Sequence, residues 1–122
     1  MLIGAYVDKN YNIYIRKGDS GTVIIKGIPN DNTYKVSLGL VDPDTQRIVK
    51  EFTSQSAGGM ANINFSVADT ESLEAPKKYF YGIKLTLNGE EATVIPNAGK
   101  KCDYLNIQQM PTFNVLLKLV EG

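Results

Sequence analysis

The chain contains no histidine and no tryptophan, and its one cysteine is Cys102. Without histidine it lacks the commonest general base and the commonest metal ligand, which excludes Ser-His or Cys-His catalytic pairs and Cys/His zinc clusters. A lone cysteine forms no internal disulfide, so an oxidising compartment is not implied. Arginine occurs twice, at Arg16 and Arg47, and Lys plus Arg balance Asp plus Glu at 13 each. There is accordingly no basic field to hold a nucleic-acid backbone or an anionic membrane surface. No segment approaches the roughly 20 apolar residues that a membrane helix requires. The start, M-L-I-G-A-Y-V-D, is too short an apolar run for a signal peptide and lacks a basic opening. Nucleic-acid binding, membrane insertion, signal-peptide secretion and a bound cofactor are therefore not expected.

What is present is alternation. In K-K-Y-F-Y-G-I-K-L-T-L-N (77–88), Tyr79, Tyr81, Ile83, Leu85 and Leu87 share one face, while Lys78, Phe80, Gly82, Lys84 and Thr86 share the other. Residues 11–16, 22–28, 33–41, 47–53, 61–67, 91–95 and 112–120 read as further strands, with a brief one at 104–107. Residues 22–28, apolar on both faces, read as a central strand. Asn88-Gly89 suits a two-residue hairpin turn, and Asp42-Pro43-Asp44 suits the turn joining 33–41 to 47–53. The only helical signal is 69–73, with Asp69 as its cap.

These signals predict one all-β domain over residues 1–122, an antiparallel sandwich of seven to eight strands. Residues 1–10 read as an N-terminal arm and 112–122 as an additional C-terminal strand. The expected core is Ile13, Ile15, Val23, Ile25, Val36, Leu38, Leu40, Phe52, Ile63, Phe65, Val67, Tyr81, Ile83, Leu85, Val115 and Leu117.

Chemistry-bearing residues are sparse. Cys102 has only Lys100, Lys101 or a carboxylate to activate it. Asp31, Asp42 and Asp44 match no calcium-loop spacing, and turn chemistry accounts for them. Lys77-Lys78 and Lys100-Lys101 read as solvated lysines that discourage edge pairing, not as a nucleic-acid patch. Glu71, Glu74, Glu90 and Glu91 read as solvated residues rather than a glycosidase pair. The chain is expected not to be an enzyme. Ile24, Ile28, Val49, Phe80, Leu116 and Val120 fall opposite the expected core, either as a protein-contact patch or under a crossing arm or the loop after Pro96.

Three stretches carry a resemblance: I-Y-I-R-K-G-D-S-G-T-V-I-I-K-G-I, then F-S-V-A-D-T-E-S-L, then Y-F-Y-G-I-K-L-T-L-N-G-E-E-A-T-V-I-P. Over residues 11–107 the chain resembles the immunoglobulin-like N-terminal domains of phage baseplate upper proteins and related phage or prophage tail structural proteins. The Arg16-Lys17-Gly18-Asp19 turn and the run into Val94-Ile95-Pro96 carry it most. The resemblance implies an immunoglobulin-like sandwich in a virion, assembled in the host cytoplasm, with other virion proteins and further copies of itself as partners. The sequence ends at Gly122 without the helical linker or receptor-binding domain of that pattern, which implies a stand-alone subunit or a trimmed piece. The strand at 112–120 also departs from the pattern, leaving open an exchanged or donated strand. The expected contact residues are Leu2, Tyr6, Lys78, Phe80, Lys84, Leu116 and Val120. Two other classes stay open: a carbohydrate-binding module stacking sugars on Tyr6, Tyr11 and Tyr104, and a small inhibitor or immunity-type binding protein.

Overall fold

The computed structural model describes residues 4–96 and 110–120. Leu2, Lys100, Lys101, Cys102, Tyr104 and the expected strand at 104–107 lie outside the described residues. The elements are β1 (Ala5–Val7), β2 (Ile13–Arg16), β3 (Gly21–Lys26), β4 (Lys35–Val41), β5 (Ile48–Gln55), β6 (Met60–Phe65), α1 (Val67–Glu71), β7 (Lys77–Leu87), β8 (Glu90–Ile95) and β9 (Thr112–Leu116). The fold is all-β, as expected, with nine strands among the described residues in place of seven to eight.

Seven strands form one sheet in the order β1-β2-β9-β7-β4-β5, with β8 also on β7, and β3 and β6 form a second, two-stranded sheet. The long strand β7 organises the large sheet. One edge pairs with β4 over seven positions, from Lys35↔Thr86 to Val41↔Phe80. Its other edge is shared, with Lys77–Phe80 pairing β9 and Ile83–Leu87 pairing β8. Between the two, the Tyr81 N–H donates to Pro111 O at 3.1 Å. At Gly82 a methyl group would stand 2.9 Å from Ile95 O, so a glycine is needed where the partner changes. The Asn88-Gly89 turn forms as expected, both residues at positive φ (52° and 84°), the backbone that a two-residue turn demands.

The expectation of a purely antiparallel sheet is corrected. β2 runs parallel to β9, from Ile13↔Phe113 to Arg16↔Leu116, in an otherwise antiparallel sheet. Alternation reports which side a residue faces and not the direction of the neighbouring strand, so this pairing left no trace in the pattern. Side chains staple it. Thr112 N and Oγ1 donate to Asn12 Oδ1 at 3.0 and 2.8 Å, and Asn114 Nδ2 donates to Ile13 O at 3.1 Å. β9 lies in the interior of the large sheet, between β2 and β7.

The two sheets share one core. Val23, Ile25, Ile63 and Phe65 from the small sheet join Ile13, Ile15, Val36, Leu38, Leu40, Tyr81, Ile83, Leu85, Phe113 and Val115 from the large one. Phe65 makes edge-on ring contacts to Phe52 and Phe113 at 4.7 and 5.3 Å, bridging the layers. Two expected core residues are corrected. Val67 is 53% exposed because β6 stops at Phe65 and α1 begins, and Leu117 is 54% exposed because β9 ends at Leu116. Residues 22–28 are not a central strand, since β3 pairs with β6 alone and leaves Ile24 exposed. Ile28 is buried rather than outward, its N–H donating to Gly59 O past the strand end.

The helix is capped by Ser66, correcting the assignment to Asp69. Ser66 Oγ accepts from the Asp69 N–H while the Asp69 carboxylate accepts from the Ser66 N–H, a reciprocal capping box. Thr70, fully buried, then docks the 17–19 turn. Its Oγ1 accepts from the Gly18 N–H at 3.0 Å and donates to Asp19 O at 2.8 Å, while Lys17 Nζ donates to Leu73 O.

Two substitutions test this architecture by urea denaturation. Phe113→Ala is expected to cost about 3–5 kcal/mol, because the ring is fully buried against Phe65 of the facing layer; a loss under about 1 kcal/mol would place β9 outside the cooperative core. Thr70→Val keeps the shape but orphans the Gly18 N–H, with an expected cost of about 1–3 kcal/mol.

Candidate functional site

The register places five expected contact residues on the face of the large sheet that points away from the core. Tyr6 opposes Tyr14, Asn114 opposes both Tyr14 and Lys78, Leu116 opposes Arg16, Phe80 opposes Thr112 and Val41, and Lys84 opposes Ser37. These residues sit on one continuous surface running from β1 across β2, β9 and β7 to β4. Tyr6 is exposed and Lys78 is exposed, while Phe80, Lys84 and Leu116 are half-buried. Val120 lies beyond β9, 80% exposed, off this sheet face. Leu2 lies outside the described residues.

The most concave part of this surface was not foreseen. Gly39 of β4 is the direct cross-strand partner of Gly82 of β7, so two adjacent positions in mid-sheet carry no side chain. The result is a depression of about 260 Å³ with apolar walls from Val41, Ile48, Phe80, Pro96 and Met110. Ser37, Glu51, Lys84 and Thr93 line it as well. Ser37 is buried although it faces away from the core, because it lies within this depression. Alternation gave the outward direction of Gly82, Lys84 and Gly39, but the pairing of the two glycines depends on register. A second, more open depression lies beside Tyr6, Tyr14, Arg16 and Leu116.

Elsewhere several ionic side chains are taken up in structure. Lys77 is not a solvated lysine. Its ammonium lies 3.1 Å from Asp42, 3.3 Å from Glu74 and 3.8 Å from Asp44, with its side chain only 15% exposed. Asp42 and Asp44 therefore lie against a lysine, and Asp31 accepts from the Tyr34 hydroxyl at 2.8 Å. Three of the glutamates are paired: Glu71 with Lys118, Glu74 with Lys77, and Glu91 with Lys84 at 3.3 Å. Asp8 accepts from Asn10 N, Asn12 N, Asn12 Nδ2 and the Tyr14 hydroxyl, closing the β1–β2 turn. Desolvation pushes the Asp8 carboxyl up, and the hydrogen bonds led by that from Asn12 N–H outweigh it and hold it below the ordinary value. Tyr81 is buried with its hydroxyl donating to Tyr11 O, and burial pushes that hydroxyl far up. No group of three or more metal-ligating side chains occurs among the described residues, and no described helix is long and apolar enough to cross a membrane.

The Lys77 cluster has a pH signature. Asp42 is held below its ordinary value first by the Asp44 N–H and then by the Lys77 ammonium, and Lys77 is raised first by its bond to Asp42. A depressed carboxylate stabilises the fold above its unfolded pKa and loses that contribution as pH falls through the folded one. A raised lysine stabilises below its unfolded pKa and loses the contribution as pH rises through the folded one. The cluster is therefore at full strength between about pH 5 and pH 10. Lys77→Met is expected to shallow the acid limb and flatten the alkaline limb of the urea midpoint plotted against pH; a profile unchanged from the parent would remove the cluster from the stability of the fold. No known protein family, curated protein or solved structure matches this chain.

Proposed function

We propose that the chain is a non-enzymatic structural or adaptor protein of a phage or prophage particle, of the baseplate or tail type, working by protein–protein assembly. The observation that carries this reading is the outer face of the large sheet, where Tyr6, Lys78, Phe80, Lys84 and Leu116 share one surface with an apolar-walled depression at Gly39 and Gly82. Concave apolar surface with a polar rim is what a docked partner needs. The virion assignment itself rests on the sequence resemblance of residues 11–107.

The immunoglobulin-like sandwich belongs to the same proposal. Leaving β1 and β8 aside, β2-β9-β7-β4-β5 faces β3-β6, with the first strand of the set parallel beside the last. That arrangement supports a seven-strand immunoglobulin-like pattern to which β1 and β8 are added. In this reading the outer face docks other virion proteins and further copies of the chain. A second reading, a carbohydrate-binding module, draws on the Tyr6 and Tyr14 rings, 6.0 Å apart beside the open depression, and on exposed Tyr11.

Light scattering over a range of concentrations tests the first reading. The parent chain is expected to form a discrete closed oligomer, and Phe80→Asp to remain folded by circular dichroism yet dissociate at least about tenfold more readily. A parent that stays monomeric at every concentration would sink self-assembly. A Phe80→Asp variant that assembles like the parent would remove this face from the contact. Tyrosine chemical shifts that respond to a glycan panel, in a monomer, would favour the second reading.

A further inference from the structure

The described part of the chain gives no reason for a glycine at Gly39. Its φ is not positive, and a methyl group there would stand 3.9 Å from Glu51 Cγ and Ile48 Cγ2, which is ordinary contact. The register shift between β4 and β5 comes one residue later and inserts Val49 on the opposite strand, so Gly39 is not the bulged residue. Its partner Gly82 is different, because Ile95 O closes the space a side chain would need. A glycine inside a strand weakens it relative to alanine, and where no bend or positive φ requires it, it marks close approach by another group.

The lining says what that group is. Val41, Ile48 and Phe80 offer apolar walls around a flat backbone floor, in a volume of about 260 Å³. Two charged residues border it. Lys84 is already paired with Glu91 at 3.3 Å, whereas the Glu51 carboxylate, directly across from Gly39, has no hydrogen bond or ion pair among the described residues. The unbalanced charge is therefore negative. An aromatic guest would fill the floor but desolvate Glu51 without pairing it. A guest with a flat apolar stem and a planar cationic head satisfies all three features: the stem lies against the glycines, the guanidinium stacks on Phe80, and Glu51 accepts its N–H groups.

We propose that the Gly39–Gly82 depression is a socket for an arginine side chain of a partner protein. The proposal rests on the reading of this face as a docking surface and names what is recognised there.

The test is an amide NMR titration of the whole chain with N-acetyl-arginine-N-methylamide, with the neutral isostere N-acetyl-citrulline-N-methylamide as control. The Gly39 and Gly82 amide signals are expected to shift saturably in about the millimolar range, as befits a single side chain. The citrulline analogue, Glu51→Gln and Gly39→Ala are each expected to weaken the response about tenfold. Gly39→Ala is also expected to leave the urea midpoint unchanged or raised, since its methyl fits. Absent shifts at Gly39 and Gly82, or equal response to both analogues, overturns the socket. So does a lowered midpoint in Gly39→Ala, because it means the chain's own residues fill the depression. Light scattering on the same samples separates the two readings. Oligomers with an unresponsive Gly39 sink the socket alone, and a responsive Gly39 in a strict monomer keeps the socket while sinking self-assembly.

Discussion

Backbone pairing along both edges of β7 is the constraint from which the rest of this structure follows. One edge pairs with β4 from Phe80 to Thr86, and the other is divided between β9 and β8. Because β7 is held on both sides, its inner row, Tyr79, Tyr81, Ile83 and Leu85, is fixed against the small sheet with no freedom to slip register. The same pairing fixes its outer row. Phe80, Gly82 and Lys84 are aimed away from the core, and Gly82 is carried to a position opposite Gly39. The outer face and the core are two consequences of one set of hydrogen bonds.

Polar side chains divide the labour differently. Asp8 closes the β1–β2 turn, Asn12 and Asn114 hold the parallel pair, Thr70 fastens the helix to the 17–19 turn, and Lys77 gathers three carboxylates at the end of β7. Each of these groups has its partners within the fold. Glu51 differs from them. Its carboxylate has no hydrogen bond or ion pair among the described residues, and it lies directly across from Gly39 beside the depression.

The inward-facing residues were legible because burial on one face imposes period-two alternation, and that pattern is written in residue type. It identified Ile13, Val36, Leu38, Ile83 and Val115, and also the outward direction of Phe80 and Lys84. It failed at strand ends. Val67 and Leu117 continue the alternation on paper, but Ser66 starts a helix and β9 stops at Leu116. Lys77 was misread because three carboxylates converge on it from Asp42, Asp44 and Glu74, two of them more than thirty residues away.

The sequence by itself determined the all-β class, most of the core, the Asn88-Gly89 turn and the absence of histidine chemistry, since these depend on local residue type and spacing. Tertiary structure alone decided that β2 lies parallel to β9, that β3 leaves the large sheet, and that Gly39 meets Gly82. Strand direction and register are set by which distant backbones pair, and hydrogen bonds between peptide groups are nearly blind to the side chains that a sequence records.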